Sequence, residues 1–422
     1  MNDLLIIGGG ISGIYAALKL GGIVLEKSEK LGGRIQFDAW RGRHLRMGGG
    51  LFRTNDILLQ TLLNEYQVPY YFQCDPLFYT QDHVNVLDIL IMLRRKWMEH
   101  PPQKETRFAD FAKYHIGEEK YKSFLNTTLY NDYENDSVES VLDDPTEFTF
   151  MISGLYGYSN LELLIQRISE RISYQTNTEV VEIVDYDTYW EVHTIVRGIP
   201  TIYTCRRLIL ATTITNVERL FPHPYTKLIH PSPTMRIYGE FRKQDIPLLQ
   251  RVIKGHTMVP FPLHQIIPID ANNGVYMIAY VDEEYSKELI PLQEDTEINR
   301  STLCRMIESA FQLPKHSIEL VSIHSKYWEE AVHYIDRHVD IKVREEFLKS
   351  LQHPHPMLRI VGEAVTEDNG WIEAALKTVH EIDWVKNNEE DNKEENEDDE
   401  EDKKKCKRKK KRKSKKNKNK NK

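Results

Sequence analysis

Cysteine is scarce in this chain of 422 residues: four, at Cys74, Cys205, Cys304 and Cys406, with no CxxC spacing among them. A disulfide framework is thereby excluded as an organising feature, and a reducing compartment, cytoplasmic or nuclear, is expected. Long apolar runs are missing too, so no membrane span is expected. The apolar N-terminal residues lack the basic flank and cleavage signal of a secretory peptide, so the chain reads as not secreted. There is no Ser/His/Asp pattern. His256, His264, His324, His333 and His338 fall at no metal-ligand spacing, so each reads as a core or surface histidine and no metal site is expected.

What the chain does have is concentrated at its start. Leu4-Leu5-Ile6-Ile7 is a short apolar run, Gly8-Gly9-Gly10-Ile11-Ser12-Gly13 follows at once, and Ile14 to Leu20 has a helical pattern. A second apolar run, Ile23-Val24-Leu25, ends in Glu26. Strand, glycine turn, helix, strand and acid make up a dinucleotide-binding unit. In it Gly8 allows the tight turn, Gly10 lets a pyrophosphate approach the backbone, and Gly13 lets helix and strand pack closely. The N–H groups of Ile11 and Ser12 at the helix start then face the phosphates. Glu26, next to Lys27, is placed to accept hydrogen bonds from ribose hydroxyls. Glu26 follows Gly13 by 13 residues, fewer than the usual interval of about 20. The helix is therefore short, and Gly21-Gly22 is suited to end it.

From Glu26 the chain resembles the flavin-containing amine oxidase superfamily, which includes monoamine and polyamine oxidases, protoporphyrinogen oxidase and phytoene-desaturase-like enzymes. Leu25-Glu26-Lys27 to Gly32-Gly33-Arg34 resembles that family's LEA…GGR segment, which implies that Gly33 and Arg34 contact the FAD pyrophosphate. A guanidinium beside a glycine turn suits a diphosphate. Arg46-Met47-Gly48-Gly49-Gly50 is similar to the loop beside the isoalloxazine ring. Phe150 to Ser169 resembles the segment that opens the second half of the FAD domain. Val180-Val181-Glu182-Ile183 resembles the strand whose backbone meets the adenine, and Arg207 to Thr212 the strand leading into Ala211, with Thr213 where the family usually has Pro. Arg359 to Ala364, followed by Gly370-Trp371-Ile372-Glu373-Ala374-Ala375-Leu376, is similar to the closing FAGE…GYxEGA motif. There Gly362 and Glu363 would hold the ribityl chain, and Trp371 and Ile372 would open a helix facing the flavin. A helix cap plus a buried tryptophan is the plainer reading of Gly370-Trp371.

The resemblance implies an α/β fold: a Rossmann-type FAD-binding domain with a second α+β substrate domain of mixed sheet plus helices. We expect the FAD-binding domain to be discontinuous, over about 1–58, 148–225 and 354–385. The substrate domain takes 59–147, a helical insertion broken at Pro101-Pro102, and 226–353. Strands are expected at Thr234–Phe241, Gln265–Ile269 and Gly274–Val281, and a helix over about Asp295–Phe311. FAD is expected to be noncovalent, because no cysteine lies between 329 and 345.

Flavin chemistry asks little of side chains, because the cofactor accepts the hydride. Three residues are candidates for shaping it. Arg236 falls near the place where many amine oxidases carry a lysine beside flavin N5; the alternative is an ordinary surface strand residue. An arginine there would keep its charge and repel a protonated amine. Trp371 falls where monoamine oxidases place a cage tyrosine, and Trp328 resembles a family tryptophan before the active-site strand. The resemblance thus implies hydride removal from a C–N or C–C bond of a small organic substrate, an amine among the candidates, with O2 as final acceptor. Desaturation or porphyrinogen-type oxidation is one alternative; a flavin-binding scaffold without turnover is another.

The end of the chain is of another kind. Residues 386–422 are acidic and then basic, with too few apolar groups to offset the entropy of ordering, and are expected to be disordered. They carry a net +6, which leaves about −14 on residues 1–385 within a total of −8. The basic block suits nucleic acid, an anionic surface or an import receptor; a solubility tail is the plainer reading.

Overall fold

The computed structural model describes residues 1–74, 76–81, 83–103, 106–143 and 155–384. Residues Met1–Val379 form one compact unit. Of the second unit, which begins at His380, only the first five residues are described, and the tail from 386 lies outside the described residues. So does the stretch from Phe150 to Gly154.

Leu4 to Ile7 belong to the strand Asn2–Ile7, which lies between the parallel strands Ile23–Leu25 and Ile199–Leu210. Its uninterrupted apolar run follows from burial on both faces. Leu5 and Ile6 are fully buried, each worth about 1.5–3 kcal/mol in area removed from water. Beyond Ile23–Leu25 the sheet adds Ser173–Gln175. On the other side, Trp190–Val196 and Thr178–Asp185 run antiparallel, and Leu358–Ile360 pairs parallel with Ile199–Leu210. The seven strands thus come from three separate stretches of chain. One apolar core packs Leu5, Leu208, Leu210, Trp190 and Leu358. Another joins the helices Ile11–Leu20, Ile57–Glu65, Leu161–Ser169 and Ile372–His380.

The second large sheet has six strands in the order Leu320–Ile335, Ile229–Phe241, Val275–Asp282, Gln265–Asp270, His256–Met258 and Leu77–Tyr79. It is mixed: His256–Met258 pairs parallel with Leu77–Tyr79, and the other neighbours are antiparallel. The helix Glu297–Ala310 packs on it through Leu303 and Ile307, capped at its start by the Thr296 side chain. A helical group, Val86–Glu99, Phe108–Ile116, Glu118–Thr127 and Val138–Asp143, has its own core around Phe108, Phe124 and Tyr121. No helix among the described residues is long and apolar enough to cross a membrane.

Candidate functional site

Helix Ile11–Leu20 starts from Gly10, whose side carries no capping hydrogen bond, and has no acid in its first turn. The N–H groups of Ile11 and Ser12 meet no acceptor among the described residues. Such a helix start suits an anion. The turn before it is closed by steric necessity. A Cβ at Gly8, where φ is +106°, would lie 2.3 Å from the Ala211 carbonyl oxygen, and one at Gly13 would lie 2.0 Å from that of Gly8. A Cβ at Gly10 would meet nothing within 4 Å. Gly13 is therefore a packing glycine behind the turn, and Gly10 faces open space. The helix stops at Gly21, with φ +76° and ψ −159°, whose N–H donates to the Ala17 carbonyl at 3.0 Å. This is a positive-φ stop, but in extended backbone rather than the left-handed helical region.

That open space is part of a cleft of about 570 Å³, within the range usual for ligand sites. Gly8, Gly10, Ile11, Ser12, Glu26 and Lys27 line one end of it. Gly33, Arg34, Gly48, Gly49, Ala211, Gly362 and Glu363 continue the wall. Trp371, Ile372, Arg236 and Trp328 line it as well. Two expected residues do not. Gly13 lies behind the turn. Val180 is buried in the apolar core of the first sheet, and its carbonyl accepts from Arg219 Nη2 at 3.0 Å. Val180 alternates inward on its strand, so its side chain faces the core rather than the cleft.

The acids of the cleft are anchored by the protein itself. Glu26 accepts from the Gly9 N–H at 2.6 Å and the Ser28 N–H at 2.8 Å, one on each oxygen; each oxygen keeps a further lone pair. Glu363 is more fully committed. It pairs with Arg34 Nη1, takes His333 Nδ1–H at 2.6 Å, and accepts from the Gly370 N–H at 3.1 Å. His333 is buried, and its Nε2 accepts from the Ile214 N–H at 3.4 Å, which leaves the proton on Nδ1. Burial alone would raise the Glu363 carboxyl; the Arg34 cation, and then His333, outweigh it and hold it well below the usual carboxylate range. Arg34 also donates to the Ala331 carbonyl at 2.8 Å. The Gly33–Arg34 turn and the Gly362–Glu363 turn, 329 residues apart along the chain, are thus bolted together.

The loop Arg46–Gly50 is shaped by the same contacts. The Gly49 N–H donates to the Arg34 carbonyl at 2.9 Å, and a Cβ at Gly48 would lie 1.9 Å from that oxygen. Trp328 Nε1–H donates to the Met47 carbonyl at 2.7 Å. Trp328 lies within the long strand Leu320–Ile335 rather than before it. Arg236 is not on the outer surface. Its Nη1 donates to the Gly48 and Arg46 carbonyls, and its guanidinium lies 4.4 Å over the Tyr280 ring. Trp371 is half-buried, stacked on Tyr156 at 6.5 Å and 15°, with the Arg53 guanidinium 4.4 Å over its ring. Burial pushes the Tyr130 and Tyr156 hydroxyls well up, so both stay protonated at neutral pH. Glu373, at the start of the last helix, accepts from the Leu58 and Leu59 N–H groups at 3.0 Å each and caps the helix Ile57–Glu65.

Sequence reasoning did not reach Tyr280, Lys326, Glu330 or Asn216, which line the cleft, nor His333 behind Glu363. Tyr280 and Lys326 flank Arg236 on neighbouring strands, a relation set by register that no local pattern carries. Among the described residues no group of His, Cys, Asp and Glu is placed to hold a metal.

Solved structures with a similar fold exist. Putrescine oxidase bound to putrescine is similar over 90% of this chain and 97% of its own, with a TM-score of 0.69 at 14% identity. A triple mutant of the same oxidase, from a redesign of its cofactor binding, reaches 0.70 at 14% identity over the same shares. The chain has the fold of an amine oxidase. A protein from Exiguobacterium sp. 255-15, provisionally named protoporphyrinogen oxidase, is similar over 89% of this chain and 96% of its own, with a TM-score of 0.63 at 16% identity. No family model and no curated protein matches the sequence.

Proposed function

We propose that this chain is an FAD-dependent oxidoreductase of the flavin-containing amine oxidase superfamily, removing a hydride from a C–N or C–C bond of a small organic substrate. The observation that carries the reading is that the glycine turn, the Gly33–Arg34 turn, the Gly48–Gly49 loop and the Gly362–Glu363 turn line one continuous cleft with Arg236, Trp328 and Trp371. Three motifs from the first 50 residues and one from Gly362–Glu363 meet where one elongated cofactor would need them.

The residues fit FAD. The open face of Gly10 and the uncapped start of helix Ile11–Leu20 would take the pyrophosphate, Glu26 the ribose, and Gly48 and Gly49 the edge of a flat ring. When bound, FAD supplies hydride acceptance at flavin N5, and O2 is the proposed final acceptor. Arg34 would neutralise the diphosphate while Glu363 and the Ala331 carbonyl fix its orientation. Trp371, held by Tyr156 and Arg53, would present a rigid aromatic wall that orients substrate and excludes water. The described cysteines, Cys74, Cys205 and Cys304, do not line the cleft, which supports noncovalent FAD. In this reading the discontinuous stretches 1–58, 148–225 and 354–385 bind the cofactor and the six-stranded sheet carries the substrate face.

Porphyrinogen-type oxidation or desaturation is kept as a second reading because Arg236 holds a permanent cation where an ammonium substrate would have to approach. The test is anaerobic mixing of the purified protein with amines, polyamines, amino acids and porphyrinogens while the visible flavin band is followed. Bleaching by one class supports turnover and names the chemistry. A band that none of them bleaches would count against the oxidase and for a scaffold. The basic tail is proposed to bind nucleic acid or another anionic surface; salt-sensitive binding that survives deletion of 386–422 would contradict that.

A further inference from the structure

Arg236 and Lys326 are direct register partners on the antiparallel strands Ile229–Phe241 and Leu320–Ile335. Directly opposed residues point to the same face of a sheet, and like charges so placed repel. Both side chains line the cleft. Neither cation meets a carboxylate partner among the described residues. Arg236 lies over Tyr280, and the Lys326 ammonium lies 4.4 Å over the Trp328 ring. Asp38, the acid that feels Lys326, is already committed to Gln36 at 2.8 Å and His324 at 2.9 Å. The Arg236 Nη1 group is held by two backbone carbonyls, which fixes the plane of the guanidinium, and its side-chain hydrogen bonds go to tyrosines, Tyr280 and Tyr238, rather than to an acid.

We infer that Arg236 and Lys326 form a carboxylate-binding subsite, flanked by the Trp328 and Tyr280 rings, and that the substrate taken into this cleft carries a carboxylate. An anion between the two cations removes their mutual repulsion, and the fixed guanidinium and the mobile ammonium can each offer a charge-assisted hydrogen bond to a carboxylate. The aromatic rings on either side favour a flat or apolar body behind that carboxylate. Four acids line the cleft; Glu26 and Glu363 are committed to the contacts given above, which leaves Glu329 and Glu330. Glu329 is exposed to water. Glu330 is four residues beyond Lys326 on the same strand, about 13 Å along it, too far to pair with the two cations. The subsite stands on this geometry; calling its occupant a substrate rests on the flavin reading.

The test is calorimetric titration of the full chain, as purified, with benzoate, benzamide, benzylamine and phenyl phosphate at pH 7 and low salt. Benzoate should bind at least tenfold more tightly than benzamide or benzylamine. Lys326→Met, at a side chain with no hydrogen bond to a described residue, should weaken benzoate at least tenfold while flavin content stays the same; Lys326→Arg should restore it. Arg236→Lys, which keeps the charge but not the fixed guanidinium, should give an intermediate loss. Equal binding of benzoate and benzamide, no binding of benzoate, or indifference to Lys326→Met overturns the subsite. Phenyl phosphate binding tenfold more tightly than benzoate overturns the carboxylate assignment. A colourless protein that binds benzoate through Lys326 would keep the subsite and sink the flavin reading, and a yellow protein that ignores benzoate would do the reverse.

Discussion

The two ends of the cleft are built on different principles. The glycine-turn end is made of backbone: Gly8, Gly10 and Gly33 bring main-chain groups to the surface, and its side chains, Glu26 and Arg34, are tied down by other parts of the fold. The sheet end is made of side chains: Arg236, Lys326, Trp328 and Tyr280 project from three neighbouring strands into the same space. Backbone geometry at the first end tolerates almost no change in residue type, whereas side chains at the second can be exchanged without altering the strands. The first end therefore suits an invariant cofactor, and the second suits a substrate that differs between proteins of one fold.

The sharpest way to break this contrast lies within the glycine turn itself. Gly13→Ala forces a Cβ against the Gly8 carbonyl and should cost more than about 3 kcal/mol of stability, read as a lowered denaturant midpoint. Gly10→Val should leave the midpoint of the flavin-free protein nearly unchanged and abolish flavin retention. A yellow, fully loaded Gly10→Val protein would remove Gly10 from the pyrophosphate site.

Glu363→Gln tests whether the first end depends on its internal clamp. Removing one buried charge leaves Arg34 uncompensated, so we expect a loss of about 3 kcal/mol together with weaker FAD retention. Full FAD occupancy with unchanged stability would show that the two turns are held by their backbone alone.

Acid should separate the ends as well. The buried imidazole of His264, beneath the sheet end, donates its Nε2–H to the Thr128 carbonyl at 2.9 Å, and burial pushes its pKa down from 6.5 to about 4. Its folded value lies below its unfolded one, so the unfolded chain takes up the extra proton first. The resulting penalty is absent above about pH 6.5, grows as pH falls, and is complete below about pH 4, amounting to about 3 kcal/mol. His264→Gln should flatten the stability profile in that window, measured by denaturation at a series of pH values; parallel profiles would contradict the assignment. The Glu363 carboxyl is also held down, but from a lower starting point: its contribution is full above its unfolded value, declines as pH falls below that, and is gone only at strongly acidic pH. The glycine-turn end should therefore outlast the sheet end on acidification.

The smallest effect is expected at Trp371. Trp371→Ala should slow substrate-driven flavin reduction about tenfold, roughly 1.4 kcal/mol in the barrier, with FAD retained. Unchanged reduction would make the indole a packing residue between Tyr156 and Arg53.

How far each end was legible in the sequence follows from the same contrast. A glycine turn is a local pattern: residues 4–26 specify strand, turn, helix and acid within one contiguous stretch, and the structure places them in that order. The short helix ending at Gly21 was readable for the same reason. Glu363 was readable as a cleft residue, but its tie to Arg34 and His333 was not, because those partners come from distant elements. Val180 was expected to meet the adenine through its backbone; its strand is present, its side chain packs in the core, and the residue does not line the cleft. Lys326 and Tyr280 were invisible because only the pairing register of Ile229–Phe241 sets them beside Arg236, and a slip of one residue would turn them to the other face.

FAD is proposed to lie in this cleft against the open face of Gly10. The most direct test is to release any bound chromophore from the purified protein by heat and to identify and count it, beside the Gly10→Val variant. The account predicts close to one FAD per chain, freed without proteolysis, and almost none from the variant. A colourless protein that takes up no added FAD, or equal FAD in both proteins, would contradict it.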